Sequence, residues 1–92
     1  MEHEFTKLSP NGVRSVKGFE VEHGFANGVT YRNGALKVFL DSEWLHDPSG
    51  IVLYLKSPNN CGLAGLEPTV LNEVVVDIAR ALQWMGYKVE FG

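Results

Sequence analysis

The stretch PTVLNEVVVDIARALQWMG (residues 68–86), followed by YKVEFG (87–92), decides how this chain folds. At about 100° per residue, Val70, Leu71, Val74, Val75, Ile78, Ala79, Ala81, Leu82 and Met85 fall on one broad face, the signature of an amphipathic helix. Pro68 suits the first helical turn, where its missing N–H would have no partner in any case. Gly86 suits a left-handed stop, and the motif that such a stop makes packs Tyr87 against Leu82. Beyond it, Tyr87, Val89 and Phe91 alternate with Lys88 and Glu90, which predicts a final strand returning to the sheet. Each large side chain buried on the helix face contributes roughly 1.5–3 kcal/mol. No other segment offers a comparable block.

Upstream, the periodicity changes from helical to alternating. Glu4 to Leu8 reads as an edge strand, ended by the turn-like Ser9-Pro10-Asn11-Gly12. Val13 to Lys17 is a weaker strand, in which Val16 joins the face of Phe19 and Val21 only if Gly18 marks a bulge. Phe19, Val21, His23 and Phe25 then share one face, with Glu20 and Glu22 on the other, as in an antiparallel sheet that is wet on one side. Two Asn-Gly pairs follow. Asn33-Gly34 as a two-residue loop sets Tyr31 opposite Leu36 and Val29 opposite Val38. Ala26-Asn27-Gly28 as a three-residue loop with Gly28 left-handed sets Phe25 opposite Val29 and His23 opposite Tyr31.

Leu36, Val38 and Leu40 point inward on the strand from Ala35 to Asp41. Ser42 to Gly50 reads as a connection with room for one helical turn. Ile51 to Lys56 is apolar on both faces, which places it centrally. Ser57 to Glu67 (SPNNCGLAGLE) is a long loop for so small a domain. The expected fold is α+β: an antiparallel sheet of about five or six short strands, one long C-terminal amphipathic helix packed on one face, and a final strand.

Ninety-two residues make one domain with one core, residues 1–92. A hydrophobic content of 45% with 21% charged residues is that of a folded soluble chain. The formal charge of −3, with eight scattered basic residues, argues against direct nucleic-acid or anionic-membrane binding, which needs clustered Lys and Arg. No apolar run approaches the roughly 20 residues of a membrane span. MEHEFTKL lacks the pattern of a signal segment, and the single cysteine, Cys61, agrees with a reducing compartment. A cytoplasmic location is expected.

Catalytic and metal readings find little support. Cys61 with a histidine would make a nucleophile and base, yet no characteristic motif surrounds it. His3, His23 and His46 have no partner at the spacing of a zinc site. The run Cys61-Gly62-Leu63-Ala64-Gly65 precedes a helix but lacks the P-loop lysine, and Glu67 stands where an anion would sit. No cofactor and no catalytic residue is expected, and a flexible or partner-contacting loop is the preferred reading.

Exposed side chains carry more information. Glu73, Val76, Asp77, Arg80 and Trp84 lie on the outer face of the helix. Trp84 either covers a strand edge or the C-terminal turn, or stands exposed beside mixed charges, as at an interface hot spot. Trp44 raises the same question in its polar stretch. Asp41, Glu43 and Asp47 gather around one connection, and Glu20 and Glu22 on one strand face. Such a surface either aids solubility or complements a basic partner.

The order "GVTYRNGALKVFLDSEWL", "GIVLYLKS", a variable loop, then "IARALQWMGYKVEF" resembles a family of small bacterial immunity proteins. These are antidotes encoded beside polymorphic or contact-dependent growth-inhibition toxins. The likeness covers roughly residues 19–92, and the loop 57–67 departs from it. It implies a non-enzymatic protein that binds a cognate toxin domain, the product of a neighbouring gene, and blocks its active site or substrate access. Many such toxins are nucleases with basic clefts, which an acidic inhibitor suits. From exposure alone, Glu43, Trp44, Asp47, Asp77, Arg80 and Trp84 are the candidate contacts. A regulatory adaptor that adds a strand to its partner is the alternative, and a homodimer through an edge strand stays open.

Overall fold

In the computed structural model, which describes residues 4–24, 28–45 and 50–92, the expected helix α1 runs Pro68–Trp84. It begins on extended Glu67, which makes no side-chain cap, with Pro68 in the first turn where its lost N–H costs nothing. It ends as the glycine predicts. Gly86 takes φ 103°, its N–H donates to the Gln83 carbonyl at 3.0 Å, and that of Tyr87 to Leu82 at 3.0 Å. These are the two bonds of a Schellman stop. The chain leaves the helix turned back along it, with Tyr87 against the core.

Among the described residues eight strands flank the helix in sequence: β1 Phe5–Ser9, β2 Gly12–Ser15, β3 Glu20–Gly24, β4 Gly28–Asn33, β5 Leu36–Leu40, β6 Ser42–Leu45, β7 Gly50–Leu53 and, after α1, β8 Lys88–Phe91. The first five form an antiparallel sheet in chain order, and β6, β7 and β8 form a second sheet. The α+β architecture expected from the sequence is therefore present. The final strand closes the second sheet, however, and runs parallel to β7.

Rows across the large sheet explain its inner face. Val13, Val21, Tyr31 and Val38 lie side by side, and His23, Val29 and Leu40 form the next row. All are buried. The opposite face carries Thr6, Arg14, Glu20, Arg32 and Lys37 in one row, with Arg14 and Glu20 paired at 2.8 Å. Val74, Ile78, Ala81 and Leu82 of α1 cover the apolar face, and Ile51 and Leu53 of β7 join the same cluster. One core thus serves helix and both sheets. Among the described residues no helix is long and apolar enough to cross a membrane.

Four local expectations are corrected. His23 pairs with Val29 and Gly24 with Gly28, two residues away from the register read from parity. Likewise Asn33 pairs with Leu36 and Tyr31 with Val38, so the hairpin loop is Gly34-Ala35. Gly34 has φ 61° and, among the described residues, no non-glycine residue is left-handed, which fits a type II′ turn with glycine first. A slip of two keeps every side chain on its face, so alternation cannot detect it. Position 28 admits only glycine: at φ 113°, a Cβ there would overlap the Leu40 carbonyl and the Phe39 ring. The Ala26-Asn27 part of the predicted loop lies outside the described residues, as does Phe25.

Val16 stays outside the core at 71% exposure, because Gly18 sits in the turn after β2, where its N–H meets the Ser15 carbonyl, and does not bulge a strand. Ser42–Leu45, read as connection, is strand β6 pairing with β7. Central placement of the 51–56 run holds within the small sheet, although β7 itself ends at Leu53.

Leu82 is fully buried and Val76 is 45% exposed on the same helix. Leu82→Ala should lower unfolding free energy by about 2–5 kcal/mol, and Val76→Ala by no more than about 0.5 kcal/mol. Urea denaturation checks both. Equal small losses would show that this face of α1 is not what holds the sheets.

Candidate functional site

On the outer flank of α1, the structure brings Asp77, Arg80 and Trp84 together but occupies each with an internal partner. The Asp77 carboxylate accepts a hydrogen bond from the Tyr31 hydroxyl at 3.0 Å, and the Asn33 amide donates to the same hydroxyl at 3.2 Å. Burial pushes the Tyr31 phenol up to about 12, the Asn33 amide pulling the other way and Asp77 adding to the rise. Arg80 forms an ion pair with Glu4, next to the edge strand. The Trp84 ring lies 5.7 Å from that of Phe5 in β1, so the tryptophan covers a strand edge while 43% of it stays in solvent. This flank clamps β1 to the helix. An exposed ion pair of this kind contributes about 0–1 kcal/mol, and the aromatic contact carries the clamp.

Glu43 and Trp44 sit on β6 and, being successive strand residues, point to opposite faces of the small sheet. Trp44 turns inward. Its ring stands edge-on to His23 at 5.1 Å and to Tyr87 at 5.0 Å, while His23 and Tyr87 meet at 5.2 Å. Three aromatic rings from β3, β6 and the turn after α1 therefore lock the two sheets to the helix end. Trp44 is first a joint, with 36% of its surface left exposed.

Glu43 turns outward. Register places Glu43, Val52 and Glu90 in one row across the outer face. The Tyr54 hydroxyl donates to the Glu43 carboxylate at 2.5 Å, which raises the phenol's pKa because the bond holds its proton. Asp41, Glu43, Tyr54, Lys56, Ser57 and Gly92 line a shallow groove of about 460 Å³. Three carboxylates, Asp41, Glu43 and Glu90, thus stand around Val52 and Tyr54, with two lysines, Lys56 and Lys88, on the same face. Asp47, the remaining candidate, lies outside the described residues. Glu20 and Glu22 do not extend this acidic surface: Glu20 stands between Arg14 and Arg32 on the other sheet.

The loop 57–67 is held along its length. Cys61 and Phe39 exchange backbone hydrogen bonds at 2.8 and 2.9 Å, capping the free edge of β5. The Asn60 side chain accepts from the Asp41 N–H at 2.6 Å and donates to the Tyr54 carbonyl at 2.8 Å, and the Ser57 hydroxyl donates to Asp41 at 2.7 Å. Gly62, at φ 83°, lies so close to β5 that a Cβ would overlap the Lys37 carbonyl. Between this loop and α1 runs an apolar groove of about 450 Å³ lined by Leu55, Pro58, Leu63, Ala64, Leu71 and Val75. Sequence reasoning missed it. The signal was present in Leu71 and Val75, which lie on the helical arc, and in Leu63-Ala64 inside a largely polar loop.

Cys61 is exposed and its thiol reaches the Asn59 carbonyl at 3.8 Å, whereas the His23 ring is enclosed by Trp44 and Tyr87. No group of three or more His, Cys, Asp or Glu is placed to hold a metal ion among the described residues. His3 and His46 lie outside them.

His23 is 6% exposed. Its Nε2 lies 3.3 Å from the Tyr87 hydroxyl and its Nδ1 is buried with no partner. Burial lowers its pKa, Glu22 opposing this and Lys7 adding to it. The folded protein therefore favours the neutral ring, while the unfolded chain takes up a proton near the ordinary value of 6.5. Stability should fall as pH drops below that value, until the folded-state value is passed. His23→Phe keeps a ring among Trp44 and Tyr87 and removes the titration. It should flatten the stability loss between about pH 7 and pH 5, measured by denaturation; an unchanged slope would move the effect elsewhere. Compared with family models, curated proteins and solved structures, the chain matches none.

Proposed function

We propose that this protein is an immunity-type inhibitor that binds a cognate toxin domain and covers its active site or the path of its substrate. The observation that carries the reading is the outer face of the small sheet, where Asp41, Glu43 and Glu90 surround Val52 and Tyr54. A face on which carboxylates outnumber lysines, with an aromatic centre, suits a basic cleft, such as that of a nuclease. Opposite potentials steer encounter, and the aromatic patch supplies area for tight contact. The overall charge of −3 and the resemblance over residues 19–92 point the same way. The contact set narrows accordingly to Glu43 with Asp41 and Tyr54, while Asp77, Arg80 and Trp84 hold the fold. The partner is the toxin product of an adjacent gene, and the protein performs no chemistry of its own.

A second reading, a regulatory adaptor without enzymatic activity, has the apolar groove at Leu55, Leu63, Leu71 and Val75 in its favour. Such a module binds a short apolar peptide at micromolar strength and needs no acidic face.

Co-purification of the tagged chain with each neighbouring gene product separates the two. The expected result is a stoichiometric complex of nanomolar or tighter affinity that abolishes the partner's toxicity. Glu43→Lys should slow association about tenfold at low salt, with the difference shrinking as salt rises. Glu43→Gln, which can still accept the Tyr54 hydrogen bond, should lie between. No complex with either neighbour, or association rates insensitive to both substitutions, would overturn the acidic-face reading.

A further inference from the structure

The small sheet ends at β8. Among the described residues β7 pairs with one side of β8 and no strand pairs with the other. We propose that this open edge is an interface between two copies of the chain, joined by antiparallel pairing of β8 with β8 about a two-fold axis at Val89. The inference does not rest on the toxin reading, although it sets Glu90, one of the carboxylates of the outer face, opposite a lysine of the second copy.

Backbone direction sets the first condition. The Gly92 N–H donates to Leu53 in β7 at 2.9 Å. Backbone groups of successive strand residues point to alternate edges, so those of Lys88 and Glu90 face β7 and those of Val89 and Phe91 face outward. A pair centred on Val89 is then a hydrogen-bonded pair, each Val89 exchanging N–H and C=O with Val89 of the second copy. Tyr87 comes opposite Phe91 of the second copy. Its own N–H is already given to Leu82, and its carbonyl receives the Phe91 N–H. Every outward donor on β8 finds an acceptor.

Side chains set the second condition, and the short sequence Tyr87-Lys88-Val89-Glu90-Phe91 is complementary to itself in this one register. Lys88 stands opposite Glu90 of the second copy, and Glu90 opposite its Lys88. These are the non-hydrogen-bonded positions, where side chains approach most closely. On the other face the half-buried Val89 meets its symmetry mate, and Phe91, 52% exposed in the single chain, meets Tyr87. Centring on Glu90 instead would oppose two carboxylates. Centring between Val89 and Glu90 would set Val89 opposite Glu90 and mix the two faces. An isologous contact of this kind closes on itself and stops at two copies, which also removes an edge open to uncontrolled strand addition.

Sedimentation equilibrium over a concentration series, from micromolar upward, tests the proposal with a charge-swap set. The wild-type chain should show twice the monomer mass. Lys88→Glu sets carboxylates opposite one another and Glu90→Lys sets ammonium groups opposite one another; each should weaken self-association at least about tenfold. The double variant Lys88→Glu/Glu90→Lys restores both pairs and should dimerise like the wild type. Val89→Pro removes an outward N–H while leaving the bonds to β7, and should be monomeric with an unchanged circular dichroism spectrum. A wild-type chain that stays monomeric throughout, even one whose β8 edge captures a foreign strand, would overturn the proposal. So would single charge reversals that dimerise as well as the wild type, or a double variant that fails to recover.

Discussion

Everything in this protein depends on one strip of α1, the side chains Val74, Ile78, Ala81 and Leu82, being removed from water by two sheets at once. A chain of 92 residues has surface to bury for one core only. The large antiparallel sheet supplies one wall of that core and β7 supplies the rest through Ile51 and Leu53. Because β8 follows α1 by a single glycine stop, the helix also dictates where the small sheet acquires its third strand. The ring cluster of His23, Trp44 and Tyr87 sits where these constraints meet. Each ring comes from a different element, so none of the elements can shift alone without opening it.

That economy decides which residues remain available for a partner. Polar and aromatic groups on the α1 flank are consumed in fixing the edge strand: Trp84 on Phe5, Arg80 on Glu4, Asp77 on Tyr31. The outer face of the small sheet carries a lighter structural duty: Glu43 accepts from Tyr54, and Asp41 accepts from Ser57 and Asn59 of the loop. Its carboxylates outnumber its lysines, Lys56 and Lys88, and it is built on the central strand β7, so these charges are presented on a rigid element. Interfaces built this way lose little freedom on binding, which favours affinity. The loop 57–67, pinned by Asn60 and by the Cys61–Phe39 bridge, extends the same rigidity to the groove beside α1.

The helix, its proline start, its glycine stop and the inward faces of β3, β4 and β5 were legible in the sequence, because each rests on local geometry or on alternation. What escaped is what those signals do not encode. Registers β3–β4 and β4–β5 differ from the parity reading by two residues, a slip to which alternation is blind. Parallel and antiparallel strands share one periodicity, so YKVEF announced a strand without announcing its direction. Ser42–Leu45 hid as a loop because only Trp44 and Leu45 in it are apolar. For the surface, the helical wheel placed Arg80 and Trp84 outside correctly. Their partners, Glu4 and Phe5, come from the far end of the chain, and no spacing rule connects them.

The central structural claim is that one helix face closes both sheets into a single cooperative unit. Native-state amide hydrogen exchange on the free chain tests it most directly. Amides of Ile51 and Leu53 in the small sheet and of Val21 and Tyr31 in the large one should exchange only through global unfolding, with one shared opening free energy. A small sheet that exchanges through a separate, lower-energy opening, while Val21 and Tyr31 stay protected, would contradict the claim.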